Sequence, residues 1–373
     1  MSKLKVIIIG GGVGGLTAAI ALRQHPAFQV ELYEQATLFR EIGALIGLAP
    51  NGLRTLEKLG VEDILTDDIG FRNPDPIPMI YNVIVTFGDS TSATADLVIG
   101  ADGITSRVRR TFVPNHELKW TGDAVFRSTF PYDLVKDILD LPRNSTHFTG
   151  PRSWFFPTRM GKEEFGVTCS FPVNDQDPDA PFQDLVWNAP ADVQTVQEAF
   201  KDFNPLVRAI ASRIPSVRRY ANVAGAGLKH WTFSNRVTLL GDAAHTHGGA
   251  FAAGASLAID DAYALYLALS ATIPTSTEIS PERLALALSL YERTRRPQSD
   301  RVLRVVHGMV SEHRGRMERF WREGTEESYG EFRGRIAARL NPAWLTEHDV
   351  EGAFEKVLAA SREGNGKVEV GRL

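Results

Sequence analysis

The residues best placed for chemistry are glycines and acids rather than nucleophiles. Gly10, Gly12 and Gly15 form a G-x-G-x-x-G turn with Val13 and Gly14 inside it, and Glu34 follows 24 positions after Gly10. Glycines at that spacing allow a tight turn and let the backbone approach a pyrophosphate. A helix opening there offers free N–H groups and a positive dipole to the anion. Glu34 is placed to accept hydrogen bonds from a ribose diol, and Gln35 stands beside it. The order strand, glycine turn, helix, strand, acid indicates a bound dinucleotide with an unphosphorylated ribose, FAD or NAD rather than NADP. The competing reading is a glycine-rich turn that binds nothing.

Other charged residues extend the candidate site. Arg40 leaves the second strand beside Glu34 and is either a solvated loop charge or a phosphate contact. Asp102-Gly103 ends another strand and runs into the basic helix start Ser106-Arg107-Val108-Arg109-Arg110. This reads as a cofactor contact or as a common turn. Gly241-Asp242-Ala243-Ala244-His245 follows the buried strand Asn235–Leu240, which puts Asp242 at the strand end where open α/β sheets bind ligands. His245 and His247 lack a third ligand nearby, so no metal site is expected. Arg127 is the one cation in the apolar strand Ala124–Phe130: pointing inward it needs an anion, pointing outward it is an ordinary surface charge. Cys169, among Phe165, Val167 and Phe171, reads as strand packing.

The elements that position these residues follow from apolar patterning. Lys5–Ile9 and Gln29–Tyr33 read as strands, Leu16–Gln24 as a helix, and Asn51–Leu59 as a helix stopped by Gly60. Residues 111–220 alternate as antiparallel strands, with a helix over Val193–Arg213 broken at Pro205. A second helix opens at Gly254-Ala255-Ser256. Residues 280–373 read as helical and polar, with Tyr291-Glu292-Arg293-Thr294-Arg295-Arg296-Pro297 a solvated helix end and Trp344 an anchor. The expected fold class is α/β: a Rossmann-like FAD/NAD(P)-binding domain (1–110 and 221–310), an inserted, mainly antiparallel-sheet substrate domain (111–220) and a C-terminal helical region (311–373). Net charge is −4, which implies no nucleic-acid partner. The single cysteine suits a reducing, cytoplasmic compartment, no apolar run is long enough to span a bilayer, and a monomer or homodimer is expected.

The three stretches in order, the glycine turn with Glu34, Gly100-Ala101-Asp102-Gly103, and Gly241-Asp242-Ala243-Ala244-His245, resemble the FAD-dependent aromatic monooxygenases of the p-hydroxybenzoate hydroxylase class, above all fungal salicylate hydroxylase-like enzymes. The resemblance implies that FAD is the cofactor, held by the glycine turn, Glu34, the loop from Arg40 to Gly47, Asp102, Asp242 and the helix start at Gly254 and Ala255. It implies hydroxylation of a phenolic or hydroxybenzoate-type aromatic substrate with NAD(P)H and O2, through a C4a-hydroperoxyflavin. Arg127 would hold a phenolate, alone or with His230 or His247, in a pocket that includes Phe156 and Phe251. Two departures stand out. The family commonly has proline at Gly249 and glycine at Ala252 and Ser256, so a proline at 249 is expected to be tolerated. The chain also runs directly from Tyr81 through Asn82 to Val83, where relatives carry a longer stretch. The alternatives are another FAD oxidoreductase of halogenase or reductase type, or a flavin-binding pseudoenzyme lacking the segment near Asn82. The W-x-W-x-I-P motif of flavin halogenases is absent.

Overall fold

The structure, a computed structural model, describes residues 3–36, 48–61, 78–81, 84–87, 92–141, 145–160, 163–174, 188–273, 280–338, 341 and 343–370. In chain order its elements begin with β1 (Leu4–Ile9), α1 (Val13–Arg23), β2 (Phe28–Tyr33) and α2 (Pro50–Lys58). Next come β3 (Pro78–Tyr81), β4 (Ile84–Phe87), β5 (Ser92–Thr94), β6 (Leu97–Gly100) and α3 (Arg107–Phe112). The middle of the chain supplies β7 (Leu118–Pro131), β8 (Phe148–Thr149), β9 (Trp154–Arg159), β10 (Glu164–Pro172), β11 (Ala189–Ala191), α4 (Val193–Ala199), α5 (Pro205–Ala211) and β12 (Val217–Gly225). The remainder is β13 (Thr232–Phe233), β14 (Val237–Leu239), α6 (Gly254–Thr272), α7 (Pro281–Glu323), α8 (Tyr329–Ala337), α9 (Ala343–Thr346) and α10 (Val350–Val370).

A five-stranded sheet in the order β13-β14-β6-β1-β2 forms the first layer, with β14, β6, β1 and β2 parallel. In β1 every residue except Lys5 is buried, as a central parallel strand covered on both faces requires. α6 explains the helical side. Its buried residues, among them Leu257, Ile259, Ala262, Leu265, Ala268 and Leu269, lie all round the helix, so it is packed on every side, with α1, α2 and α7 around it. β3, β4 and β5 make a separate antiparallel meander.

The second layer is a six-stranded antiparallel sheet in the order β11-β12-β7-β10-β9-β8. Alternation along a strand divides its faces. Ala124, Phe126 and Phe130 of β7, Phe155 of β9 and Phe165, Val167 and Cys169 of β10 pack with Val196, Phe200, Val207 and Ile210 of α4 and α5 into one core. Cys169 thus sits where packing predicts, and burial pushes its thiol pKa up, away from reactivity. The break at Pro205 is also as expected, since this proline starts α5 at its first helical position.

α7 joins the two layers. At 1.5 Å per residue its 43 residues span about 65 Å, and Pro297 lies inside it. Its first part packs on α6, and its far part clamps the sheet: Arg314 donates to the carbonyls of Trp120 (3.0 Å) and Thr121 (3.3 Å), and His313 meets Asp123 at 3.0 Å.

The close approach of β6 to the glycine turn gives one testable consequence. A Cβ placed on Gly15 would lie 2.0 Å from the carbonyl oxygen of Gly10, which is backbone and cannot swing aside. Gly15→Ala is therefore expected to destabilise the fold by about 1–3 kcal/mol, seen as a lowered midpoint in thermal unfolding. An unchanged midpoint would mean that the turn has room that this geometry denies.

Candidate active site

The glycine turn is built for a ligand on one side and for packing on the other. Gly10 has φ +105°, and a Cβ there would stand 2.4 Å from the carbonyl oxygen of Ala101, so β6 crosses directly beneath the turn. Gly14 faces inward, where a Cβ would meet Leu240 at 2.5 Å, which makes it the packing glycine between α1 and the strand-end turn. Gly12 is different: a Cβ there would point into open space. Gly12 is also the N-cap of α1, and no side chain caps the helix, so the N–H groups at Val13 and beyond await an acceptor. Glu34 closes the turn by accepting from the N–H of Gly11 (2.6 Å) and of Ala36 (2.9 Å), while Gln35 is exposed beside it.

Asp102 lies just past the end of β6, next to this turn. Its carboxylate accepts from the hydroxyl of Ser106 (2.5 Å) and from the N–H of Arg107 (2.7 Å) and Val108 (3.1 Å), so it is engaged with the start of α3. Arg109, one turn on, is 3% exposed and reaches across the sheet end, donating to the carbonyls of Asp242 (3.0 Å), Ala243 (3.0 Å) and Ile104 (2.5 Å). It ties the Asp102 loop to the Asp242 turn.

Asp242 emerges from β14 on a turn begun by Gly241. Its carboxylate accepts no hydrogen bond from any described residue, and the residue is exposed. A Cβ on Gly254 would come 3.9 Å from its Oδ1, so the acid stands at the opening of α6, beside Ala255. Protein surrounds it closely enough that desolvation raises its pKa, against the pull of His245 and Arg109. A carboxylate of this kind gains from hydroxyl donors that a bound ligand can bring.

Behind the turn lies a buried ion-pair network. Asp261 accepts from the N–H of Gly241 (2.9 Å), meets Nε2 of His245 at 2.5 Å, and accepts from Nε of Arg295 at 2.8 Å. Burial alone would raise the Asp261 pKa, but His245 and Arg295 overcome it and hold the carboxyl below the usual carboxylate range. Tyr291, fully buried, donates to the carbonyl of Leu239 (2.8 Å), and Glu292 accepts from the N–H of Trp231 (3.1 Å) and the hydroxyl of Thr232 (2.9 Å). The Tyr291–Pro297 stretch is therefore not a solvated helix end. α7 continues through it, and its polar groups are the internal struts of the strand-end turn. Charge-rich composition hid this, because the partners lie some thirty to sixty residues away in sequence.

The sheet face opposite the α4–α5 core carries Arg127. Arg127 pairs in register with Thr168 of β10, which pairs with Phe156 of β9, so all three side chains stand in one row on that face. Arg127 is half-buried, its Nε has no hydrogen-bond partner, and it makes no ion pair with a described residue. Desolvation lowers its pKa, partly offset by Tyr220, over whose ring the guanidinium rests 4.9 Å from the centroid. Tyr220, on β12, was not anticipated, because it comes from a strand some ninety residues later that pairs on the other side of β7.

The loop ahead of α6 closes this side. His247 bridges to Ala224 of β12 and is buried, and burial holds its ring well below the ordinary histidine pKa. Gly248 and Gly249 have φ of +67° and +68°, and Phe251 and Ala252 follow at +59° and +50°. A bulky residue in that region is strained, which marks functional loops more often than structural ones. The Phe251 ring packs edge-on against Trp344 of α9, 6.2 Å between centroids. His230 stands at the surface beside Glu292 at 3.4 Å, its side chain 71% exposed, so the buried pocket position expected for it is corrected. Arg40 and Gly47 lie outside the described residues.

Residues 84–305 match the FAD binding domain family, and residues 8–39 match an NAD(P)-binding Rossmann-like domain. The chain belongs to the FAD-binding domain family. This flavoprotein is 26% identical to 6-hydroxynicotinate 3-monooxygenase of Pseudomonas fluorescens, across 81% of this chain and 90% of that one. It is also 26% identical to 3-hydroxybenzoate 6-hydroxylase of Klebsiella oxytoca, across 80% and 86%. Among solved structures, a salicylate hydroxylase substrate complex superimposes with a TM-score of 0.69 at 18% identity, covering 95% of this chain and 98% of that one. The α/β fold and the class of FAD-dependent aromatic monooxygenases are as the motifs implied.

The site fits FAD on this chain's own geometry: open space at Gly12, an uncapped α1, and a carboxylate at Asp242 without a donor. One expectation about the flavoprotein's loop fails. At φ +68° Gly249 cannot be replaced by proline, whose ring fixes φ near −65°, so the residue common in the family does not fit this backbone. Gly249→Pro is expected to cost about 1–3 kcal/mol and to lower the flavin content of the purified protein. Full flavin occupancy and an unchanged melting temperature would show that the loop readily adopts another path.

Proposed function

We propose that this flavoprotein hydroxylates a planar aromatic ring that carries a phenolate or carboxylate, with the anionic oxygen held at Arg127. One observation carries the reading: a half-buried guanidinium that meets no anion among the described residues, in a row with Thr168 and Phe156 and resting on Tyr220. A desolvated cation is costly unless an anion reaches it, and a phenolate ring is far richer in electrons than a neutral phenol. Arginine stays protonated, so Arg127 stabilises the anion and does not take its proton.

Bound FAD, reduced by NAD(P)H, supplies the activation of O2. The chain's residues position and shield. Gly10, Gly12, Val13 and Gly15 offer the turn and helix start to a pyrophosphate, and Glu34 a carboxylate to a ribose. Asp242 receives hydroxyls of the cofactor chain, and the opening of α6 at Gly254 and Ala255 favours negative charge on a ring placed there. Phe156, Phe251 and His247 wall the substrate side. In this reading 1–110 and 221–310 form the cofactor domain, 111–220 the substrate domain and 311–373 the helical region, in a cytoplasmic monomer or homodimer.

The test is a panel of hydroxybenzoates, phenols and their O-methyl ethers, with NAD(P)H oxidation and product formation followed together. Hydroxylated products from rings bearing an ionisable phenol or carboxylate are expected, with none from the phenol ethers that carry no carboxylate. Equal turnover of ethers and phenols would overturn the anion requirement.

A further inference from the structure

We propose that Asp261 is the positioning residue of the cofactor-facing turn, holding Asp242 toward FAD by gripping Gly241 on one side of it and His245 on the other, with Arg295 as its fixed counter-charge. The inference rests on the reading that Asp242 binds FAD. One carboxylate oxygen of Asp261 takes both the N–H of Gly241 (2.9 Å) and Nε2 of His245 (2.5 Å), so a single atom closes the ends of the turn that projects Asp242. The other oxygen takes Nε of Arg295 (2.8 Å), whose NH1 is in turn held by Gln298 (2.9 Å). Asp261 and Arg295 are both 0% exposed, and Nδ1 of His245 has no hydrogen-bond partner among the described residues, so Asp261 is the imidazole's hydrogen-bond partner while the rings of Trp231 and His247 pack against it. A carboxylate only accepts, so Nε2 of His245 carries the hydrogen.

A buried ion pair on its own is poor grounds for a stabilising role, since apolar residues of the same volume often serve stability as well. What an apolar pair cannot do is fix two donors on either side of a third residue. Among the described residues the turn's other holds are the N–H groups of Ala244 and His245 on the Gly241 carbonyl (both 2.9 Å) and donors from Arg109 and Thr246 to the carbonyls of Asp242 and Ala243; none of them fixes the Gly241 N–H or the His245 side chain. Loss of the Asp261 charge would leave Arg295 facing an amide donor, free the Gly241 N–H, and let Asp242 drift from its direction.

The experiment is a double-mutant cycle on FAD release from the full-length holoprotein, read as flavin fluorescence recovered on dilution. Asp261→Asn is expected to weaken FAD binding roughly tenfold to a hundredfold in the wild-type background, as for loss of a charge-assisted hydrogen bond. In the Asp242→Ala background the same change should weaken it less than about threefold, because the group being positioned is gone. His245→Asn, which leaves Asp261 paired with Arg295 and Gly241, should show the same non-additivity at smaller size and serves if Asp261→Asn does not fold. Equal losses in both backgrounds would overturn the proposal and leave Asp261 a purely structural strut. If Asp242→Ala alone leaves FAD affinity unchanged, the reading of Asp242 fails instead, and the inference with it.

Discussion

Asp242→Ala is expected to purify largely colourless, with its FAD dissociation constant raised by about one to two powers of ten. The acid follows β14 on the turn begun by Gly241, is exposed, accepts no hydrogen bond from a described residue, and lies beside the opening of α6. Its pKa is raised by desolvation, so the charged form stands at a disadvantage that hydroxyl donors from a bound cofactor would relieve. A hydrogen bond to a charged group is worth about 1.5–3 kcal/mol, and that is the affinity at stake. Glu34→Ala is expected to lose less, because Glu34 is also satisfied by the N–H groups of Gly11 and Ala36 and its removal mainly loosens the turn. The ratio of flavin to protein absorbance in each purified variant measures both. Stoichiometric yellow colour in Asp242→Ala would remove Asp242 from the cofactor site.

The second large effect belongs to Arg127. Arg127→Ala is expected to retain FAD and to remain reducible by NAD(P)H, while product formation falls by a factor on the order of 10²–10³ and the reducing equivalents appear as hydrogen peroxide. The separation follows from geometry. Arg127 is on β7 between β10 and β12 and makes no hydrogen bond or ion pair with the described residues of the glycine turn or with Asp242, so the cofactor contacts survive its removal. What disappears is the fixed charge that stabilises the ring's anion. Arg127→Lys should recover part of the loss by keeping the charge without the planar fork that rests on Tyr220. Product and peroxide, assayed in parallel under saturating NAD(P)H, separate hydroxylation from uncoupling. Wild-type rate and coupling in Arg127→Ala would make it an ordinary strand charge.

The sequence by itself determined what depends on short range. The apolar run Leu4–Ile9, the turn Gly10–Gly15 and the acid Glu34 specify a strand, a sharp turn and a second strand within one local unit, so this βαβ unit was legible from neighbouring residues. Asp242 was legible for the same reason, since a strand and its end are read from adjacent residues. Tertiary structure alone decided the rest. The direction of Arg127 depended on which face of β7 the helices α4 and α5 cover, and the Tyr220 ring beneath it comes from a strand some ninety residues later. The polar stretch Tyr291–Pro297 looked solvated because charge normally is, yet Asp261 and the Leu239 carbonyl reach it across the fold and supply its partners. The positive φ at Gly249 was likewise invisible, because a glycine permits that conformation without demanding it. Local patterning can state that a charge exists near a strand or helix; only the packing of distant elements settles whether it meets water, a partner or a ligand.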